Sequence, residues 1–294
     1  MKKIIKKLFL ILIVISMIGS YLPIVSDVYA ATDVAEIRVY NSSNTLTYSQ
    51  RFTSPTDSIY KLNEKLTSGN RVVYEIFSDI AVDARITMDD NTKLEINLNG
   101  HMLRRAWAEH SDGEVILVDE DSELTINGGS DEDAKNIEHT IYYTDTKGDY
   151  VRNKSVTIKG GLITGGYSNS GAGGILAKED SKVTLNDVSL SGNIARGENG
   201  GGITLDGPNI KLTMNNSTIS YNYAGGNDGF TEGFGGGIYV YGGIATDAEY
   251  CTVEMNNSHI DNNFATWGGG IYVDAEHFTL TGDAEANYSL KNQE

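Results

Sequence analysis

Three patterns of apolar and polar positions run along the chain. The first is an unbroken apolar run, Leu8 to Ile18, behind Lys2, Lys3, Lys6 and Lys7 and ahead of Val28-Tyr29-Ala30. A positive start, a short apolar stretch and small-residue spacing predict a secretory signal peptide over residues 1–30, removed before Ala31. The run falls well short of the ~20 residues that cross a bilayer as a helix, and no second one comes after it. No membrane-spanning segment is expected once the signal is gone.

The second pattern is helical. Ile59, Leu62 and Leu66 form one apolar stripe behind Ser54-Pro55, with Gly69 as the stop. A polar cap, proline at the first helical position and a closing glycine predict an amphipathic helix over 55–68. It lies in an N-terminal cap region, 31–84, that would close the open end of the repeats downstream of it.

The third pattern is alternation with period two, in short strands that recur. Four glycine clusters each lead into an aliphatic strand: Gly173-Gly174-Ile175, Gly201-Gly202-Ile203, Gly236-Gly237-Ile238 and Gly269-Gly270-Ile271. Their isoleucines are spaced by 28, 35 and 33 residues. Between them runs a second shared block, from Val183-Thr184-Leu185-Asn186, Leu212-Thr213-Met214-Asn215 and Val253-Glu254-Met255-Asn256 to turns built on Asn193, Asn222 and Asn263, each followed two residues later by Ala. A strand with one apolar edge cannot bury that edge alone, whereas successive coils stacked ~4.8 Å apart bury all such edges in one column. The pattern therefore predicts an all-β chain, a right-handed parallel β-helix or solenoid over 85–294. Asn193, Asn222 and Asn263 would point inward and bond from coil to coil.

Two stretches break the period. Residues 130–154 are polar, with Thr140-Ile141-Tyr142-Tyr143 and Tyr150-Val151 on either side of Lys147-Gly148, and predict a projecting hairpin or loop. Residues 225–234 predict an outward loop. Upstream, Leu94–Leu98, Val115–Val118, Leu124–Asn127 and Val156–Lys159 read as strands with glycine corners.

Composition agrees with many short strands: 33 glycines, three prolines and one cysteine in 294 residues. Cys251 alternates with Val253 and Met255 and should point inward as a small hydrophobe. Without residues 1–30 the chain carries 19 basic and 39 acidic side chains. Such an excess opposes nucleic-acid or anionic-membrane binding.

The glycine clusters and Asn-x-Ala turns together resemble the polymorphic outer membrane protein repeat family over about 155–280, more loosely over 85–155, and more broadly the pectate-lyase-like right-handed parallel β-helix superfamily. That resemblance implies surface display and an adhesive or stalk-like role. The alternating ~10-residue strands of a transmembrane barrel are not found, so attachment by such a barrel is not expected. The last residues, Tyr288 to Glu294, carry no cap or anchor, so this end is expected to continue into further coils or to meet a partner.

The resemblance implies, for enzymes of the superfamily, either lyases that hold Ca²⁺ on aspartates and take a proton with a basic residue, or polygalacturonases with clustered aspartates around Asn-Thr-Asp, Asp-Asp, Gly-His-Gly and Arg-Ile-Lys motifs. Here Asp89-Asp90 lies in a turn, Arg-Ile-Lys does not occur, and Asn99-Gly100-His101 reads as a corner. Asp119, Glu120 and Asp121, or Asp131 to Asp133, offer oxygens to Ca²⁺ and stand near Arg104, Arg105 and His110. Ca²⁺ needs 6–8 convergent oxygens, and adjacency supplies two or three, so these read as solvated loop charges and no cofactor is expected. Tyr239 and Tyr272, with Trp267 and Tyr241 nearby, would face outward one above the other, either as a platform for sugar rings or as packing between coils. The expected function is that of an exported, noncatalytic cell-surface or extracellular scaffold or adhesin whose partner is a host or cell-surface protein or glycan. The alternative is a polysaccharide-active or carbohydrate-binding β-helix protein.

Overall fold

The computed structural model describes residues 32–105, 113–145, 153–196, 199–225, 233–242, 250–275, 277–283, 285–286 and 288–290. The signal segment 1–30, His110, the Lys147 to Val151 part of the insertion and most of the 225–234 loop lie outside them. Residues Asp33–Glu294 form one compact unit.

Strands dominate, and most are parallel. Three sheets are visited in rotation, seven times between Arg71 and Leu290. In the first sheet the successive strands are Arg71–Ile76, Lys93–Asn97, Glu123–Asn127, Lys182–Asn186, Lys211–Asn215, Cys251–Asn256 and Phe278–Gly282. The second sheet holds Ile80–Val82, Met102–Arg105, Gly161–Thr164, Val188–Ser191, Thr218–Ser220, His259–Asp261 and Glu285–Ala286. The third holds Ile86–Met88, Ile116–Val118, Ile175–Lys178, Ile203–Asp206, Ile238–Tyr241, Ile271–Asp274 and Tyr288–Leu290. Each strand pairs with its counterpart one round earlier and one round later.

Register obeys the apolar pattern. In the third sheet Ile116, Ile175, Ile203, Ile238 and Ile271 stand opposite one another in sequence and are fully buried. Each such side chain contributes ~1.5–3 kcal/mol through burial, and a slip of one residue would turn the whole row outward. The glycines ahead of these strands are there for closeness. A Cβ on Gly174 would lie 2.4 Å from the carbonyl oxygen of Gly202, and one on Gly202 would lie 2.5 Å from that of Gly237. Only glycine lets the layers meet at this corner.

The N-terminal region holds more than a helix. Helix α1, Pro55–Lys65, is capped by Ser54, whose hydroxyl accepts from the Asp57 N–H, and it buries Ile59 and Leu62 completely. It is shorter than the 55–68 span the stripe predicts, because Leu66 leaves helical geometry while its N–H still bonds the Leu62 carbonyl. Two antiparallel strands precede it. Ala35–Tyr40 joins the first sheet antiparallel to Arg71–Ile76, and Leu46–Phe52 pairs along its far side as the edge strand. Parallel pairing starts at Arg71, earlier than residue 85, since Val72, Tyr74 and Ile76 already alternate inward without a glycine cluster to announce them.

A second departure is Lys154–Lys159. Its alternation predicts a strand of the repeat, but it pairs antiparallel with Glu138–Tyr143 in a hairpin outside the three sheets. Its face is too polar to be buried: none of its six side chains is buried, whereas all four residues of Gly161–Thr164, which takes the place in the second sheet, are. A one-and-a-half-turn helix, α2, Glu132–Asn136, leads into the hairpin.

Candidate functional site

Polar side chains that fall at the same position in successive rounds bond to one another. The Oδ1 of Asn222 accepts from both the backbone N–H and the Nδ2 of Asn193, each at 3.0 Å. Asn263 Oδ1 does the same for Asn222 at 3.1 and 3.0 Å, and Asn193 Oδ1 accepts from the Gly166 N–H. Asn193 and Asn222 are fully buried. A second column, which the repeat contains but its turns did not advertise, is Asn97, Asn127, Asn186, Asn215 and Asn256, linked amide to amide at 2.8–2.9 Å. Lys93, Glu123 and Lys182 make a charged counterpart beside it, and Lys93 foremost holds the Glu123 carboxyl below its usual range.

The tyrosines expected to face outward do stand in register, on the outer side of the third sheet. Their rings stack at 6.0 Å between centroids and 20° between planes. They are not open to a ligand, however. Phe234 lies over Tyr272 at 4.7 Å, and Tyr239 and Tyr272 are only 8 % and 7 % exposed. Burial, and after it the charge of Asp274, pushes the Tyr239 phenol well above its ordinary value. Trp267 remains half exposed beside Phe234, with which it forms a bridge, and Tyr241 is similarly open.

The acidic runs occupy turns. Asp121 adopts φ 55° and its N–H bonds the Glu179 carbonyl, while the Glu120 N–H bonds the Asp119 carboxylate and the Glu120 carbonyl accepts from Asn91. Asp131 caps α2 through the Ala134 N–H. Arg105 turns inward to the carbonyls of Glu114 and Asp83, and Arg104 is exposed. Among the described residues no group of three His, Cys, Asp or Glu side chains is arranged as metal ligands would be. Cys251 is buried, its thiol donating to the Gly207 carbonyl, and burial pushes that thiol up.

The site that sequence reasoning missed lies where the hairpin meets the stack. The hairpin is fixed at one end by His139, whose Nε2 donates to the Gly100 carbonyl at 2.8 Å, and in its middle by buried Ile141 against Gly192. At the other end the Tyr143 ring meets Tyr221 at 4.8 Å and stacks on Phe264 at 6.3 Å. Asp145, ion-paired to Lys154, lines a cavity of 210 Å³ with Tyr223, Asn263, Phe264 and Thr266. Tyr221 is unusual here. Eleven described residues other than glycine have positive φ; ten are Asn or Asp, and the eleventh is Tyr221 at 56°. Bulky side chains resist that geometry, so the neighbouring contacts must hold it. Gly192, Tyr221 and Asn262 are equivalent corner residues, and the tyrosine between a glycine and an asparagine was the available signal. Aromatic faces with one carboxylate and one amide at their rim suit binding more than proton transfer.

Comparison with known proteins finds no matching family model, no similar curated protein and no similar solved structure. Nor, among the described residues, is any helix long and apolar enough to cross a membrane.

Proposed function

We propose that the chain is an exported right-handed parallel β-helix that serves as a noncatalytic scaffold or adhesin outside the cytoplasm. The observation that carries this reading is the pair of asparagine columns: the repeat spends its most regular polar positions on bonding layer to layer. A catalytic sheet face would instead be expected to differ from round to round, where reacting groups converge. Handedness rests on the parallel connections, which in ~98 % of cases turn to the right. Export rests on the residues of the signal segment, and the resemblance to surface repeat families agrees with it.

Expressed in a bacterium with residues 1–30 present, the protein should appear outside the cytoplasm with Ala31 at its N-terminus. Retention in the cytoplasm with Met1 intact would overturn the export. The purified protein should also leave polygalacturonate and related glycans unchanged. Release of unsaturated or reducing ends, lost on substitution of Asp119 to Asp121, would overturn the noncatalytic role.

A second reading, binding of a glycan without chemistry, is favoured by the half-exposed Trp267 ring. It requires glycan-array binding that Trp267→Ala abolishes. Ca²⁺ has no part in either reading.

A further inference from the structure

A fourth parallel sheet, of very short strands, stands apart from the three that close the column. Its strands are Tyr167–Ser168, Ile194–Ala195 and Tyr223–Ala224, and Phe264 extends it by one bridge to Tyr223. Register stacks Tyr167, Ile194, Tyr223 and Phe264 in one row, an apolar cluster of its own outside the main core. The far end of that row lines the 210 Å³ cavity at the hairpin junction. Tyr223 is buried and Phe264 half-buried, so they form its floor, and exposed Thr266 stands at its rim with Asp145. Asn263 lines it too, but its amide is already used by Asn222 and the Ile219 carbonyl.

Asp145 is brought to that rim by the hairpin, whose end is held where the Tyr143 ring meets Tyr221. A tyrosine at φ 56° is the strained choice at a corner where Gly192 and Asn262 serve in the neighbouring rounds. Backbone strain of this kind concentrates at functional sites, and here it sets a carboxylate beside an aromatic floor.

Size, surface and charge select the occupant. At 210 Å³ the cavity is smaller than the ~300–1,000 Å³ of pockets for drug-sized ligands and equals the liquid volume of about seven waters, room for one six-membered ring. The aromatic floor asks for an apolar face. At the rim Lys154 pairs with the Asp145 carboxylate and cancels its charge. A cation would meet that ammonium, and an anion would meet a chain with 39 acidic against 19 basic side chains beyond residue 30. A wholly apolar ligand would leave the Thr266 hydroxyl and the Asp145 carboxylate without water or partner. A neutral ring with an apolar face and hydroxyl groups at its edge meets every one of these conditions.

We propose that the cavity binds one neutral pyranose ring, the end or a side branch of a glycan, with its apolar face on Phe264 and Tyr223 and its hydroxyls on Asp145 and Thr266. The binding site then lies at the hairpin junction and not on Trp267, within the glycan-binding reading, on which it rests. Uronates are excluded by their charge.

The test is titration of the purified, isotope-labelled chain with methyl glucoside, methyl galactoside and methyl mannoside, and with galacturonate, followed through the backbone amide resonances. At least one neutral glycoside should shift Thr266 and Gly269 and saturate in the millimolar range open to so small a ligand, while galacturonate at the same concentration should not. Ala265→Phe fills the cavity from its wall and should abolish the shifts. Thr266→Val removes a rim hydroxyl at an exposed position, so it should weaken binding several-fold with the thermal midpoint unchanged, and it decides the matter even if Ala265→Phe fails to fold. No shift from any of the three neutral glycosides, shifts from galacturonate as large as theirs, or binding indifferent to Thr266→Val would each overturn the proposal. Shifts that Trp267→Ala abolishes and Ala265→Phe spares would overturn it too, while sustaining glycan binding at the exposed Trp267 ring.

Discussion

Asn222 makes more bonds through its side chain than any other residue of the inner column. Its Oδ1 serves two donors of Asn193, and its Nδ2 reaches the Leu190 carbonyl and Asn263. Replacing it with alanine leaves several buried groups unpaired at ~1–3 kcal/mol each, so Asn222→Ala should cost about 3 kcal/mol or more in urea unfolding. Asn215, in the half-exposed outer column, can hand its partners to water, and Asn215→Ala should cost under about 1 kcal/mol. Equal losses would remove the distinction between the columns. The inner column could be read from the repeated Asn-x-Ala triplet. The outer one could not, because an asparagine at the end of a strand reads as an ordinary turn residue.

The buried phenols give a second test at this scale. Burial raises both Tyr74, which also bonds the Ser58 hydroxyl, and Tyr239. An unfolded tyrosine ionises near pH 10, while these two stay neutral in the fold. Their contribution is therefore complete below about pH 10 and is lost as pH rises through their folded values. Urea midpoints should fall above pH 10, with the last tyrosinate absorbance appearing only on unfolding. Titration of every tyrosine together, with no loss of stability, would contradict this. The burial of Tyr272 could not be read from the sequence, since alternation gives the face a side chain occupies and says nothing of Phe234, 38 residues earlier and in the preceding round, lying over that ring.

Among the elements, the parallel strands were the most legible, because the glycine–isoleucine clusters repeat four times and the alternating blocks between them three times. The antiparallel strands Ala35–Tyr40 and Leu46–Phe52 occur once and were not found, having no second copy to be compared with. The hairpin was foreseen as a projection, but one of its strands was assigned to the repeat: Val156 and Ile158 alternate like the others, and only tertiary placement distinguishes them. Its hold on the stack can be tested at Tyr221. Tyr221→Asn gives the left-handed corner a residue that accepts it, at the cost of the ring against Tyr143. Global stability should change by under about 1 kcal/mol, whereas amide exchange in Glu138–Tyr143 and Lys154–Lys159 should quicken several-fold. Unchanged exchange would mean that His139 and Ile141 hold the hairpin without help.

At the scale of the molecule, the seven rounds place one residue directly above another along the first sheet. Arg71, Lys93, Glu123, Lys182, Lys211, Thr252 and Thr279 form a single row in register. The insertion between Glu123 and Lys182, 59 residues apart in sequence, leaves no gap in it. This row explains how units of unequal length support one column: the extra residues leave the path between strands and rejoin it at the same height. It also sets a length that can be measured. Spin labels at Arg71 and Thr279, both on the outer side of the sheet, are separated by six strand spacings, ~29 Å at ~4.8 Å each. Double electron–electron resonance should show one distribution centred near that distance, within the reach of the label arms, and a distance that grows in equal steps as the second label is moved from Lys182 to Lys211, Thr252 and Thr279. A distance that does not rise in that order would contradict the stacked, parallel arrangement at the centre of the proposed fold.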